Sequence, residues 1–204
     1  MYGVWYDGGL YKAPPPTDDD QDWIDGATLI GQAGWDTYQF LFFNPNGSLF
    51  GAKGGELYSG APPTDPSVPW SARLVGDSGW DAFKFLFFDP NGMLYGVYND
   101  TFRRGNPPTG PGSNWIDNSV LMGSSGWNSF QYLFIMADGQ LYGVHNSKLY
   151  KHCPQADCTS NWLQDAEVIG PSGWSQFTFL FAPLEFIWSS PGVRGSRHGN
   201  KKGR

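Results

Sequence analysis

The sequence predicts an all-β chain assembled from repeats, and three observations carry that prediction. First, tryptophans recur in two series. Gly-Trp pairs ending at Trp35, Trp80, Trp127 and Trp174 are spaced by 45, 47 and 47 residues, while Trp23, Trp70, Trp115 and Trp162 are spaced by 47, 45 and 47. Two independent markers with one period identify an internal repeat. Second, 28 glycines and 16 prolines in 204 residues suit short strands and tight turns, and helical periodicity is absent throughout. Third, "FKFLFF" at 83–88 is apolar on both faces, with Phe83, Phe85 and Phe87 expected on one side and Leu86 and Phe88 on the other. A sheet with one wet face alternates apolar and polar residues, so this one must be covered twice. Four-stranded antiparallel sheets stacked face to face around a ring, a β-propeller, meet that need at this repeat length.

The elements of the third copy justify that reading in order. "LYGVY" (94–98) precedes a tight "ND" turn and then "TFRRG" (101–105). The loop "NPPTGPGS" leads to Trp115 and to "SVLMG" (119–123), and after "SSGW" comes "FQYLFI" (130–135). "PNG" at 45–47 and 90–92 and Asp138-Gly139 are hairpin signals. Four units follow, at about 2–48, 49–93, 94–140 and 141–184, with residues 185–204 divergent. In the second unit Trp70 and Trp80 lie 10 residues apart, against 12 in the others. Losing two residues from a strand keeps its facing unchanged, whereas losing one inverts it.

Charge narrows the function classes. Formal net charge is −6, but "RGSRHGNKKGR" at 194–204 holds five of the 13 basic residues and no acid, leaving a body of net −11. An acidic body argues against nucleic acid and anionic membrane surfaces, and the short Gly-rich basic tail reads as a disordered end. No run of 18 apolar residues spans a membrane, and "YGVWYDGGLY" after Met1 is repeat sequence, not a signal peptide. Cys153 and Cys158 share one loop and suit either a local disulfide or two thiols. No cofactor or metal is expected: "DDDQD" at 18–22 lacks the glycine and distal glutamate of a calcium loop, and no Cys/His cluster has zinc spacing. His145, His152 and His198 do not recur, and no catalytic set stands out.

The recurrent aromatic and polar pairs are the candidate site. Asp22-Trp23, Asn114-Trp115 and Asn161-Trp162, with Pro69-Trp70 as the odd copy, combine a platform for sugar C–H faces with a planar group for hydroxyls; alternatively the Asx residue starts a turn and Trp fills the blade. Gly34-Trp35-Asp36, Gly79-Trp80-Asp81, Gly126-Trp127-Asn128 and Gly173-Trp174-Ser175 form the second set. Their glycines allow special backbone angles, and amides exposed in such a turn would suit a sugar acetamide; the competing reading is a tight turn with Trp packed between blades.

The joint pattern "W-x-x-x-A-x-x-I-G-x-x-G-W-x-x-F-x-F-L-F-F-x-P-N-G-x-L-Y-G-V" resembles the tachylectin type of five-bladed β-propeller lectin, over residues 2 to about 181. That resemblance implies a multivalent carbohydrate-binding protein for N-acetylglucosamine and N-acetylgalactosamine, without catalysis, extracellular or granule-stored and suited to microbial or cell-surface glycans as in innate immunity. Two departures stand out. Four units are countable where the family has five, so either four blades close, the chain is a fragment, or copies associate to complete the ring. The Ala-Arg-Ala that often follows the first Trp in family repeats is kept only at Ala72-Arg73, which makes Arg73 a candidate ligand contact. Two rivals come from other classes. A propeller hydrolase would gather unique charged residues at one centre, and a protein-interaction propeller would vary its surface loops, as the "PP" loops at 14–16, 62–63 and 107–108 do.

Overall fold

The computed structural model describes residues 1–16, 22–154 and 161–177. The chain is all-β, and four antiparallel blades form a propeller. Blade 1 holds β1 (Tyr2–Val4), β2 (Leu10–Lys12) and β3 (Thr28–Gly31). Blade 2 holds β4 (Phe40–Phe43), β5 (Leu49–Lys53), β6 (Glu56–Gly60) and β7 (Arg73–Gly76). Blade 3 holds β8 (Phe83–Phe88), β9 (Leu94–Tyr98), β10 (Thr101–Gly105) and β11 (Val120–Gly123). Blade 4 holds β12 (Tyr132–Ile135), β13 (Leu141–His145), β14 (Lys148–His152) and β15 (Glu167–Gly170). Every sheet is a simple meander, because strands joined by short turns pair as neighbours. The basic tail, Cys158, residues 18–21 of the acidic stretch and the close of the fourth repeat lie outside the described residues.

Repeat and sheet are out of phase by one strand. The "PNG" and "DG" turns are hairpins inside a blade, so the phenylalanine-rich strand after each Gly-Trp turn pairs with the strand that opens the next sequence copy: Leu86 opposes Gly96 and Phe42 opposes Phe50. Each full blade thus takes its first strand from the preceding repeat, which ties neighbouring repeats together covalently and through a ladder.

Both faces of that first strand are covered. Leu86 and Phe88 pack into the core between blades 2 and 3, and Phe85 and Phe87 against the core between blades 3 and 4. Phe83 departs from the sequence expectation. It joins Leu86 and Phe88, not Phe85 and Phe87, because the register slips between Phe83 and Phe85. A bulge at Lys84 inserts one residue and reverses the alternation before it.

The shortened second unit also differs from expectation, since no strand has lost residues. β7 has four residues, as β3, β11 and β15 do. The missing pair falls just after Trp70, where the third and fourth units make one helical turn, α1 (Trp115–Asn118) and α2 (Trp162–Asp165). Those turns start from Asn114 and Asn161, whose side-chain oxygens accept N–H bonds from Asp117 and Leu163. Pro69 has no such oxygen, and no helical turn follows it.

Candidate functional site

Each of the three joints between consecutive blades repeats one aromatic trio. At joint 1 the ring centroids of Trp35 and Trp70 lie 5.3 Å apart, of Trp35 and Tyr38 5.5 Å, and of Tyr38 and Trp70 5.9 Å. Joint 2 repeats this with Trp80, Trp115 and Phe83 at 6.0, 5.3 and 5.7 Å. Joint 3 does so with Trp127, Trp162 and Phe130 at 6.1, 5.4 and 5.6 Å. The two tryptophan series therefore meet, one from the turn entering a blade and one from that blade's outer loop. The stacked and edge-on arrangements are those that aromatic quadrupoles favour.

Local chemistry fixes each ring. The indole N–H groups of Trp23, Trp70, Trp115 and Trp162 donate to the carbonyls of Pro14, Ala61, Asn106 and Cys153, at 2.7–3.0 Å. All four sit nine residues back, just past the last-but-one strand of the blade. These donors are consumed in the fold, so only ring faces remain for a ligand. The second series lies flat beneath a glycine: a Cβ at Gly31, Gly76, Gly123 or Gly170 would overlap the indole nitrogen of Trp35, Trp80, Trp127 or Trp174. Gly34, Gly79, Gly126 and Gly173 take φ values of 114°, 80°, 87° and 86°, a left-handed conformation that turns the chain into the single 3₁₀ turn carrying each Trp.

The outer hairpin of each blade grips that turn. Trp35, Trp80 and Trp174 donate their backbone N–H to Gly8, Gly55 and Ser147. In blade 3 the Asp100 carboxylate also accepts from the N–H groups of Gly126 and Asn128, both at 2.7 Å, and these two bonds hold its pKa below the usual carboxylate value. In blade 4 Ser147 Oγ accepts from Gly173 N–H and meets Ser175 Oγ. In blades 1 and 2 the hairpin residue is Gly8 or Gly55, and the carboxylate beside it belongs to Asp36 or Asp81 of the turn itself. The acid thus changes sides of one contact: Gly55 faces Asp81, and Asp100 faces Asn128. The amides of Gly126 and Asn128, which sequence reasoning offers to a sugar acetamide, are engaged by Asp100.

Of the other candidates, Asp22 accepts from Ile24 N–H and Asn114 caps α1, as Asn161 caps α2. Arg73 opens β7 and is exposed. Accessibility separates the tryptophans. Trp115 and Trp162 are only 4% and 3% exposed, as befits core, whereas Trp70, Trp23 and Trp174 are half-buried.

Trp70 and Trp35 wall an open cavity of about 280 Å³ at joint 1, completed by residues 31–34, Tyr38, Lys53 and residues 66–69. That volume is at the small end of ligand pockets, and apolar ring faces with a few polar groups are what a sugar ring requires. The stretch that borders it is 66–69, just before Trp70, and the shortened stretch follows Trp70. Lys53 and the 66–69 loop are site residues that sequence reasoning missed, because neither belongs to a recurrent motif. Among the described residues no group of three or more His, Cys, Asp or Glu side chains is placed to hold a metal ion.

Fold and joints together define a repeat-built β-propeller whose ligand-sized concavity lies between blades. Matches to the Tachylectin family model cover residues 1–72 and 56–195, and the chain belongs to that family. It is also similar to a solved structure described as "The de novo evolutionary emergence of a symmetrical protein is shaped by folding constraints". The two are 39% identical with a TM-score of 0.83, over 86% of this chain and 76% of the other.

Proposed function

We propose that the protein is a non-catalytic, multivalent lectin that holds N-acetylhexosamines such as N-acetylglucosamine or N-acetylgalactosamine at the joint between its first two blades, with multivalency from association of copies. The observation that supports this best is the cavity at joint 1, where both tryptophan series and Tyr38 converge and Trp70 keeps an open face. Joints 2 and 3 repeat the trio, with Tyr98 and His145 in the place of Lys53, but bury Trp115 and Trp162, so joint 1 carries the open site and associated copies of the chain supply the multivalency. Repetition is useful because single sugar sites are weak and rigid multivalency raises avidity. Self-association is part of the proposal: Trp174, paired with Phe177 at 5.6 Å, lacks a third ring among the described residues, Phe177 is 49% exposed, and Trp23 is the unmatched member of the other series. Light scattering that finds a monomer at every concentration removes this element.

The test of the lectin reading is retention of folded protein on immobilised N-acetylglucosamine and its elution by the free sugar. Flow-through of a preparation with native circular dichroism overturns it.

A further inference from the structure

The three joints share one scaffold but differ in charge. At joint 1 the cavity wall carries Gln32 and Lys53 and no carboxylate. The matching positions are Asp77 and Tyr98 at joint 2, and Ser124 and His145 at joint 3. In a body of net −11, a lining with a cation and no acid stands apart. Lys53 is exposed, ends β5, and sits over the Tyr38 ring with its ammonium 5.4 Å from the centroid. That cation–π contact directs the ammonium toward the trio. Two carboxylates lie near in the chain, and both have local partners: Glu56, opposite Lys53 in the β5–β6 register, accepts the Tyr58 hydroxyl, and Asp65 accepts from the N–H and Oγ of Ser67. Among the described residues the ion pair is Lys151 with Asp138, at 3.2 Å, and Lys53 takes no part in one.

We infer that joint 1 selects an N-acetylhexosamine bearing a carboxylate, with Lys53 as its anion contact and the Trp35–Tyr38–Trp70 trio as its ring platform. This rests on the carbohydrate reading above and specifies the ligand of that same site. A lysine suits the task because its ammonium meets an anion as a mobile point charge and leaves the rings to fix the sugar. Joint 2, with Asp77 at its rim, repels the same ligand.

The probes are N-acetylglucosamine and N-acetylmuramic acid, which share a ring and an acetamide and differ by one carboxylate-bearing substituent. Each is titrated calorimetrically into the full chain, Lys53→Gln and Lys53→Glu, at low and at 0.5 M salt. The expected result is about a two- to fivefold preference for the acidic sugar, the range of an exposed charge pair. That preference vanishes in 0.5 M salt and in Lys53→Gln, and it reverses in Lys53→Glu. Both variants keep the wild-type circular dichroism and melting temperature, which shows that the fold is intact. Binding of N-acetylglucosamine with no preference, or with a preference that survives Lys53→Gln, overturns the charge inference and leaves the lectin reading standing. Binding of neither sugar by folded protein overturns both.

Discussion

At the residue scale the Asp100 carboxylate shows how one side chain fixes a turn. It accepts two backbone N–H groups from the Gly126–Asn128 turn, and it tolerates φ of +65° as Asp and Asn do more readily than other side chains. Asp100→Asn keeps that conformation and one acceptor. At pH 7 it should cost about 1 kcal/mol, roughly 2–4 °C in Tm for a chain of this size. The sign of the pH effect follows from the lowered pKa in the folded state. The contribution is complete above the pKa of an unfolded carboxylate and fades as pH falls through the folded value. Thermal melts should therefore show the wild-type advantage shrinking in acid, and an advantage that grows in acid contradicts the assignment. At Phe102, fully buried and stacked 4.2 Å from Trp127, truncation to Ala should cost about 3–5 kcal/mol, measured by denaturant unfolding. The residue types at these sites were legible in the sequence, but their partners were not. Asp100 and Gly126 are 26 residues apart, and nothing in one copy alone says that an aspartate in a hairpin serves the next turn.

At the element scale the repeat explains itself by substitution between copies. Gly55 with Asp81 and Asp100 with Asn128 are two solutions to one contact, and they should be interchangeable only as pairs. Gly55→Asp alone sets two carboxylates together and should destabilise, by about 1 kcal/mol at low salt. Adding Asp81→Asn should recover most of that loss, and a double-mutant cycle of thermal melts measures the coupling. Additive effects contradict the exchange. A second set of bonds runs between consecutive blades: Gln39 Nε2 reaches the Asp81 carbonyl, Lys84 Nζ that of Asn128, and Gln131 Nε2 that of Ser175. These donors occupy one repeat position, four residues past each Gly-Trp tryptophan, which accounts for a polar residue at the entry to an otherwise apolar strand. Strand existence, the hairpin turns and the demand for two covered faces were all readable from periodicity. Phe83 was misplaced because a bulge inverts alternation without altering composition. The two-residue loss was placed in a strand because sequence alone did not show that the loop after Trp70 could drop a helical turn when Pro69 replaces its capping Asn.

At the scale of the whole molecule, blades joined through similar aromatic trios make a rigid body with an open cleft at joint 1. The family was legible because the motif is long and repeated. The location of a cavity was less so, since it depends on which trio keeps an open face. Trp115 and Trp162 match Trp70 in sequence, yet they open helical turns and are buried, while Trp70, which opens none, is half-buried. Fold and site are therefore not separable residue by residue, and the same tryptophans serve as core at joints 2 and 3 and as cavity wall at joint 1. The most direct test follows the ten indole N–H resonances in ¹H–¹⁵N spectra of the full chain while N-acetylglucosamine is added. The account predicts saturable shifts led by Trp35 and Trp70, abolished for the pair in Trp70→Ala. Spectra that stay unchanged, or shifts confined to tryptophans outside the joints, contradict it.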